Sequence, residues 1–169
     1  MKNMTPDENF KSVLDAVATV LKEVGFVRAG ANMRHITQDC AAIVQFQRSV
    51  SSTIDSIRFT VNLGVVCGAL YSDGKAKLKK AKLIDAHLVR RIGDFLPSSP
   101  DKWWVLDRGS DVETVTREIL SILVDVAIPF IVEHASNAAL IDLWRSGNSP
   151  GLTEGQRKRY LDELSAAAN

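Results

Sequence analysis

Hydrophobic residues recur along this chain with two different periods, and the change of period divides it. Near the start, Phe10, Val13, Leu14, Val17, Leu21 and Val24 return at three- and four-residue steps, which places them on one stripe of a helix. Thr5 and Glu8 have the spacing of a capping box, Pro6 suits a first helical position, and Gly25 follows the last apolar residue. The pattern predicts a helix over residues 6–24.

Further along, the period falls to two. Residues 56–66 alternate Ile57, Phe59, Val61, Leu63 and Val65 with Arg58, Thr60 and Asn62, so the two sets occupy opposite faces of a sheet. Residues 41–49 do the same with Val44 and Phe46 against Gln45 and Gln47. Residues 87–92 and 103–106 read as further strands, and 26–37 as a mixed stretch with a bend or bulge at Gly30 and Asn32. Between them, residues 71–86 lose the alternation and read as a turn at Ser72-Asp73-Gly74 and a lysine-rich connection.

Helical spacing then returns in Val112, Val115, Ile119, Ile122, Leu123 and Val126, with Ser110 and Glu113 at capping-box spacing ahead of them. Pro129 is expected to end or kink this helix and to open a short one toward His134. A short helix over residues 138–145 should stop at Gly147, and Thr153 with Gln156 should cap a last helix of mixed charge.

Strands grouped together, with helices before and after, make an α+β order. The expected fold is an antiparallel β-sheet meander of four or five strands, with an N-terminal helix and C-terminal helices packed on one face. The organisation expected is a single domain over residues 1–169, its core at 6–134 and a helical extension at 135–169. A chain of 169 residues is the size of one such unit.

Composition adds exclusions. The 21 basic and 20 acidic residues nearly cancel, so there is no overall pull toward nucleic acid or an anionic membrane. The richest apolar run, residues 119–132, is broken by Ser121, Asp125 and Pro129, and the first residues lack the apolar core of a secretory signal. A cytoplasmic location is expected, with no membrane partner and with Cys40 and Cys67 as reduced, buried thiols.

No phosphate loop, dinucleotide fingerprint, nucleophile elbow or paired-histidine zinc motif occurs. His35, Cys40, Cys67, His87 and His134 lack metal-ligand spacing, so no metal and no cofactor is expected. Lys75, Lys77, Lys79, Lys80 and Lys82 concentrate charge without aromatic residues between them, as a solvated connection does and a single-strand binder does not. If their segment is a strand, the adjacent Trp103 and Trp104 point to opposite faces, one into the core and one to the open side near Arg91; the favoured alternative is that helices or loops cover both.

The polar sheet face is the main candidate for recognition. Gln45, Gln47, Arg58, Thr60 and Asn62, bordered by Arg91 and Trp104, offer amide, hydroxyl and guanidinium groups suited to a peptide backbone, a carboxylate or a phosphate. Simple solvation of an open sheet would produce the same alternation.

Six segments in one order carry a resemblance: Gly25-Phe26, IVQFQRS (residues 43–49), FTVNLGV (59–65), RRIGDFL (90–96), DKWWVL (101–106) and IPF (128–130). Together they resemble the bacterial domain-of-unknown-function family numbered 4304, over residues 10–134. The resemblance implies a compact α+β domain and transfers no reaction, cofactor or catalytic residue. Domains of this general kind also resemble immunity or accessory proteins found beside secreted toxins, an analogy at the level of fold. The function expected is a small intracellular binding or protein-interaction module, its partner a protein or a small polar ligand. The alternatives are an enzyme with a histidine–carboxylate site assembled in space and, behind it, nucleic-acid association through residues 75–82.

Overall fold

The computed structural model describes residues 3–168. Helix α1 (Pro6–Lys22) begins with the full capping box, in which the Thr5 hydroxyl and the Glu8 carboxylate each accept a backbone N–H of the other. Its buried stripe of Phe10, Val13, Leu14, Val17 and Leu21 lies against the sheet core. Gly25, at φ 93°, turns the chain out of the helix in a conformation that favours glycine.

The strands are β1 (Val27–Ala29), β2 (Asn32–Ile36), β3 (Cys40–Arg48), β4 (Ile57–Cys67), β5 (Leu88–Arg91) and β6 (Trp104–Leu106). Residues 26–37 are therefore two strands of a tight hairpin around Gly30, not one bent strand, because Gly30 takes a positive φ of 63° and reverses the chain. All pairings are antiparallel, in the order β1-β2-β3-β4-β5, with β6 sharing the outer edge of β4 with β5. The register sets Gln45 opposite Asn62 and Gln47 opposite Thr60, so the polar residues of the two long strands fall on one face.

The other face carries the main core. Phe59 is at its centre, with ring centroids 5.0 Å from Phe10, 6.0 Å from Phe46 and 5.8 Å from Trp104. Helices α1, α2 (Val112–Ile122) and α3 (Ile128–Glu133) cover this face. Two further helices, α4 (Asn137–Arg145) and α5 (Glu154–Ala167), add Leu140, Trp144 and Leu164 to the same core.

Two expectations for α2 need correction. Asp111, not Ser110, is its N-cap and accepts from the Thr114 N–H at 3.1 Å; the Ser110 hydroxyl is engaged with the Asp107 N–H instead. Pro129 stands at the start of the short helix α3, which ends at its C-cap His134 as expected; the second departure lies in the stripe ahead of it. A π-helical turn, Leu123–Ala127, joins α2 to α3. Proline lacks an N–H, and in an ideal α-helix its ring would strike the carbonyl four residues back, here that of Asp125. The wider turn relieves this clash and shifts the phase by a residue. Val126, placed on the buried stripe by spacing alone, consequently turns outward, and Ala127 takes the core position.

Candidate polar-face recognition site

The face opposite the main core divides along the strands into a dry end and a wet end. At the dry end Ala41, Ile43 and Val66 form a second apolar cluster with Tyr71, Leu78 and Ala81. The cover comes from the lysine-rich connection, which folds into two short 3-10 turns, Lys75–Lys80 and Leu83–Asp85. Leu78 and Ala81 point down onto the sheet while Lys75, Lys77, Lys79, Lys80 and Lys82 stay exposed. The connection is thus a lid on half of the face as well as a solvated link. Periodicity missed it, because 3-10 turns eclipse every third residue and leave too few apolar positions to form a stripe. Gly64 permits the close approach: a Cβ there would sit 2.7 Å from Leu83 Cδ1 and 3.1 Å from the Leu88 carbonyl oxygen.

At the wet end, Asn32, Gln45, Asn62 and Arg91 stand opposite one another across four successive strands. Asn62 is buried, and its amide nitrogen donates to Gln47 Oε1 at 2.7 Å and to Gln45 Oε1 at 3.4 Å. Thr60 is also buried and donates its hydroxyl to the Lys102 carbonyl at 2.7 Å. Thr60 and Asn62 therefore form the floor, and Gln47, Arg58 and Arg91 stand exposed above it with Gln45 half-buried.

Trp104 is not at the border of this face. It stands opposite Phe59 in register, packs in the core at 4% exposure and donates its indole N–H to Glu118 Oε2 at 3.0 Å. Burial pushes Glu118 toward the neutral form, but hydrogen bonds from Lys102 and Trp104, with the lysine charge, outweigh it and hold the carboxyl below its ordinary pKa. The alternation of side chains gives the border to Trp103. Its ring lies 4.7 Å from the Arg58 guanidinium carbon and 5.6 Å from that of Arg91. Asp101 accepts from both Trp103 Nε1, at 2.9 Å, and Arg91 Nη1, at 3.0 Å. Val105, opposite Arg58 and on the same face, adds an apolar rim at 53% exposure.

Residues 17–133 match the family model described as Domain of unknown function (DUF4304). The chain belongs to this family. Among the described residues, the DUF4304 match includes all six strands, only the last six residues of α1, and the helical run through α3, so it contains both ends of the divided face. No curated protein and no solved structure matches the chain. Among the described residues of this DUF4304 domain, no helix is long and apolar enough to cross a membrane.

The three histidines of the chain are tied to backbone. His35 Nδ1 contacts the Gly25 carbonyl at 3.1 Å and His134 Nδ1 contacts the Phe130 carbonyl at 2.7 Å. His87 Nδ1 accepts the Cys67 N–H at 3.0 Å. His87 lines a polar recess of about 320 Å³ with Tyr71, Asp85, Arg159, Tyr160 and Glu163. Burial pushes its pKa below the ordinary value, only partly opposed by the Leu70 carbonyl and the Asp85 charge. A neutral imidazole accepting a strand-end N–H at Nδ1 keeps its proton at Nε2. That arrangement braces β4 against the start of β5. Among the described residues, no group of three or more His, Cys, Asp or Glu side chains could hold a metal ion.

Proposed function

We propose that this domain is a recognition module that docks a protein partner on the wet end of its sheet, with Trp103 as anchor. The observation that carries the reading is the pair of exposed guanidinium groups, Arg58 and Arg91, over the half-buried Trp103 ring. A tryptophan held by arginines has little rotamer freedom left to lose on binding, and Trp and Arg are the residue types that dominate interface energies. The chemistry favours an extended segment with backbone or carboxylate acceptors beside an apolar side chain. Arg58, Arg91 and Gln47 would donate to the acceptors, and Trp103 with Val105 would cover the apolar group. The exposed polar side chains here are the Gln47 amide and the Arg58 and Arg91 guanidiniums beside the Asp101 carboxylate, hydrogen-bonding groups suited to holding a partner.

The test compares proteins captured by the immobilised domain, by an Arg58→Ala/Trp103→Ala variant and by Lys158→Ala on the remote surface of α5. A partner held by the wild type and by Lys158→Ala should be lost from the double variant while its unfolding midpoint stays close to wild type. Retention of that partner by the folded double variant refutes the assignment.

A further inference from the structure

Cys40 and Cys67 are separated by 26 residues of chain yet stand directly opposite each other, as the first residue of β3 and the last of β4. Gly68 N–H donates to the Asp39 carbonyl at 2.9 Å, so the neighbouring pair Asp39–Gly68 is the hydrogen-bonded one. In the alternation of an antiparallel ladder, Cys40–Cys67 is then a non-hydrogen-bonded pair. Such pairs have Cα atoms about 4.5 Å apart and their side chains closest. Disulfides span Cα separations of about 4.4–6.8 Å. Both thiols are free, lie on the same face and are buried in the main core.

We propose that Cys40 and Cys67 are a redox modification site, closing a reversible cross-strand disulfide when the protein meets hydrogen peroxide. The surroundings assign the two sulfurs different tasks. The Cys67 thiol is held below its ordinary pKa by the hydrogen bond it shares with Cys40, helped by the backbone N–H groups of Ala69 and Leu70, against burial and the Asp39 charge. Cys40 is pushed the other way by the same hydrogen bond and by burial. Cys67 is therefore the thiol that ionises first and attacks, and Cys40 the one that resolves. Both cysteines are wholly buried at the strand ends, and the exposed Ala69 follows two residues beyond Cys67.

The chemistry balances with peroxide as oxidant. The Cys67 thiolate attacks one peroxide oxygen, an S–O bond forms as the O–O bond breaks, and the departing hydroxide takes a proton to become water. Cys40 sulfur then attacks Cys67 sulfur. The S–S bond forms, the S–O bond breaks, and the hydroxyl leaves as water with the Cys40 proton. Two thiols have lost two hydrogens, and peroxide has become two waters. Oxidation also removes the S–H that Cys67 donates to Asn137 Oδ1 at 3.3 Å, one of the ties that hold the start of α4 to the sheet.

The folded full chain, treated with hydrogen peroxide, should lose two hydrogens in mass and both free-thiol signals. A Cys40–Cys67 cross-link should appear in the non-reducing peptide map and vanish with dithiothreitol. Cys40→Ser should instead trap a sulfenic acid at Cys67 that dimedone labels, and Cys67→Ser should remain unlabelled. Wild-type protein that keeps both thiols, or that oxidises each one further without cross-linking, overturns the proposal. Dimedone labelling of Cys67→Ser but not of Cys40→Ser overturns the assigned roles. Should either variant misfold, the wild-type map alone still decides whether the bond forms.

Discussion

The two faces of one sheet are built from the same two strands by the same alternation, yet they are closed by different means. On the core face, β3 and β4 present Val44, Phe46, Phe59, Val61 and Leu63 to long helices whose own stripes match them. On the opposite face the cover is a loop, two 3-10 turns that reach only Ala41, Ile43 and Val66 and leave Gln47, Arg58 and Arg91 exposed. The contrast teaches that an amphipathic strand does not by itself decide whether its second face is dry. What lies above it depends on where a connection happens to travel, and a connection needs only two buried anchors to do so.

The comparison breaks most visibly at its strongest point. Phe59→Ala should cost about 3–5 kcal/mol, since it opens a cavity among Phe10, Phe46 and Trp104, and a urea titration would show it as a lower midpoint. Leu78→Ala tests whether the loop is a real lid. It should cost about 2–4 kcal/mol, near the lower part of the range for buried leucines, whereas Lys77→Ala on the exposed side should stay within about 0.5 kcal/mol. Equal, negligible effects would mean that the connection lies loosely on the sheet. Gly64→Ala probes the same contact from below and should cost about 1–3 kcal/mol through overpacking against Ala86 and the Leu88 carbonyl.

A smaller effect belongs to the seam where the strands end. His87 has a folded pKa below its ordinary value of 6.5, so the unfolded chain takes up its proton first as pH falls. Stability contributed by neutral His87 is thus fully present above about pH 6.5 and declines as the pH drops toward the folded pKa, by no more than about 1.4 kcal/mol per pH unit. Unfolding midpoints between pH 7.5 and 5 should show this slope in the wild type and a shallower one in His87→Gln. A small change is also expected at the wet end. Arg58→Ala should lower stability by no more than about 1 kcal/mol, as an exposed cation–π contact allows, and should act on partner capture instead.

Most of the scaffold could be read from spacing. The capping boxes at Thr5 and Thr153 are local signals within three residues, and both are present as expected. The alternation in β3 and β4 assigned Gln45, Gln47, Arg58, Thr60 and Asn62 to one face, and the register joins them there. Departures arose where a local rule met a constraint from elsewhere. Val126 left its stripe because Pro129 required a π turn, and Ser110 lost the cap because Asp107 already held it. The two tryptophans could be assigned to opposite faces by alternation, but nothing within the segment says which goes inward. The register with Phe59 makes that choice, and gives the core to Trp104 and the border to Trp103.

By itself the sequence determined the elements, their caps and the division of the long strands into an apolar and a polar side. These depend on residues within a turn or two of each other, where sterics and hydrogen bonding act without reference to the rest of the chain. Tertiary structure alone decided that Leu78 and Ala81 shield half of the second face, that Arg58 and Arg91 meet over Trp103, and that Cys40 faces Cys67. Each of these joins residues distant in the chain. Such meetings follow from strand register and loop path, which are fixed by the summed packing of the whole fold and not by any local pattern.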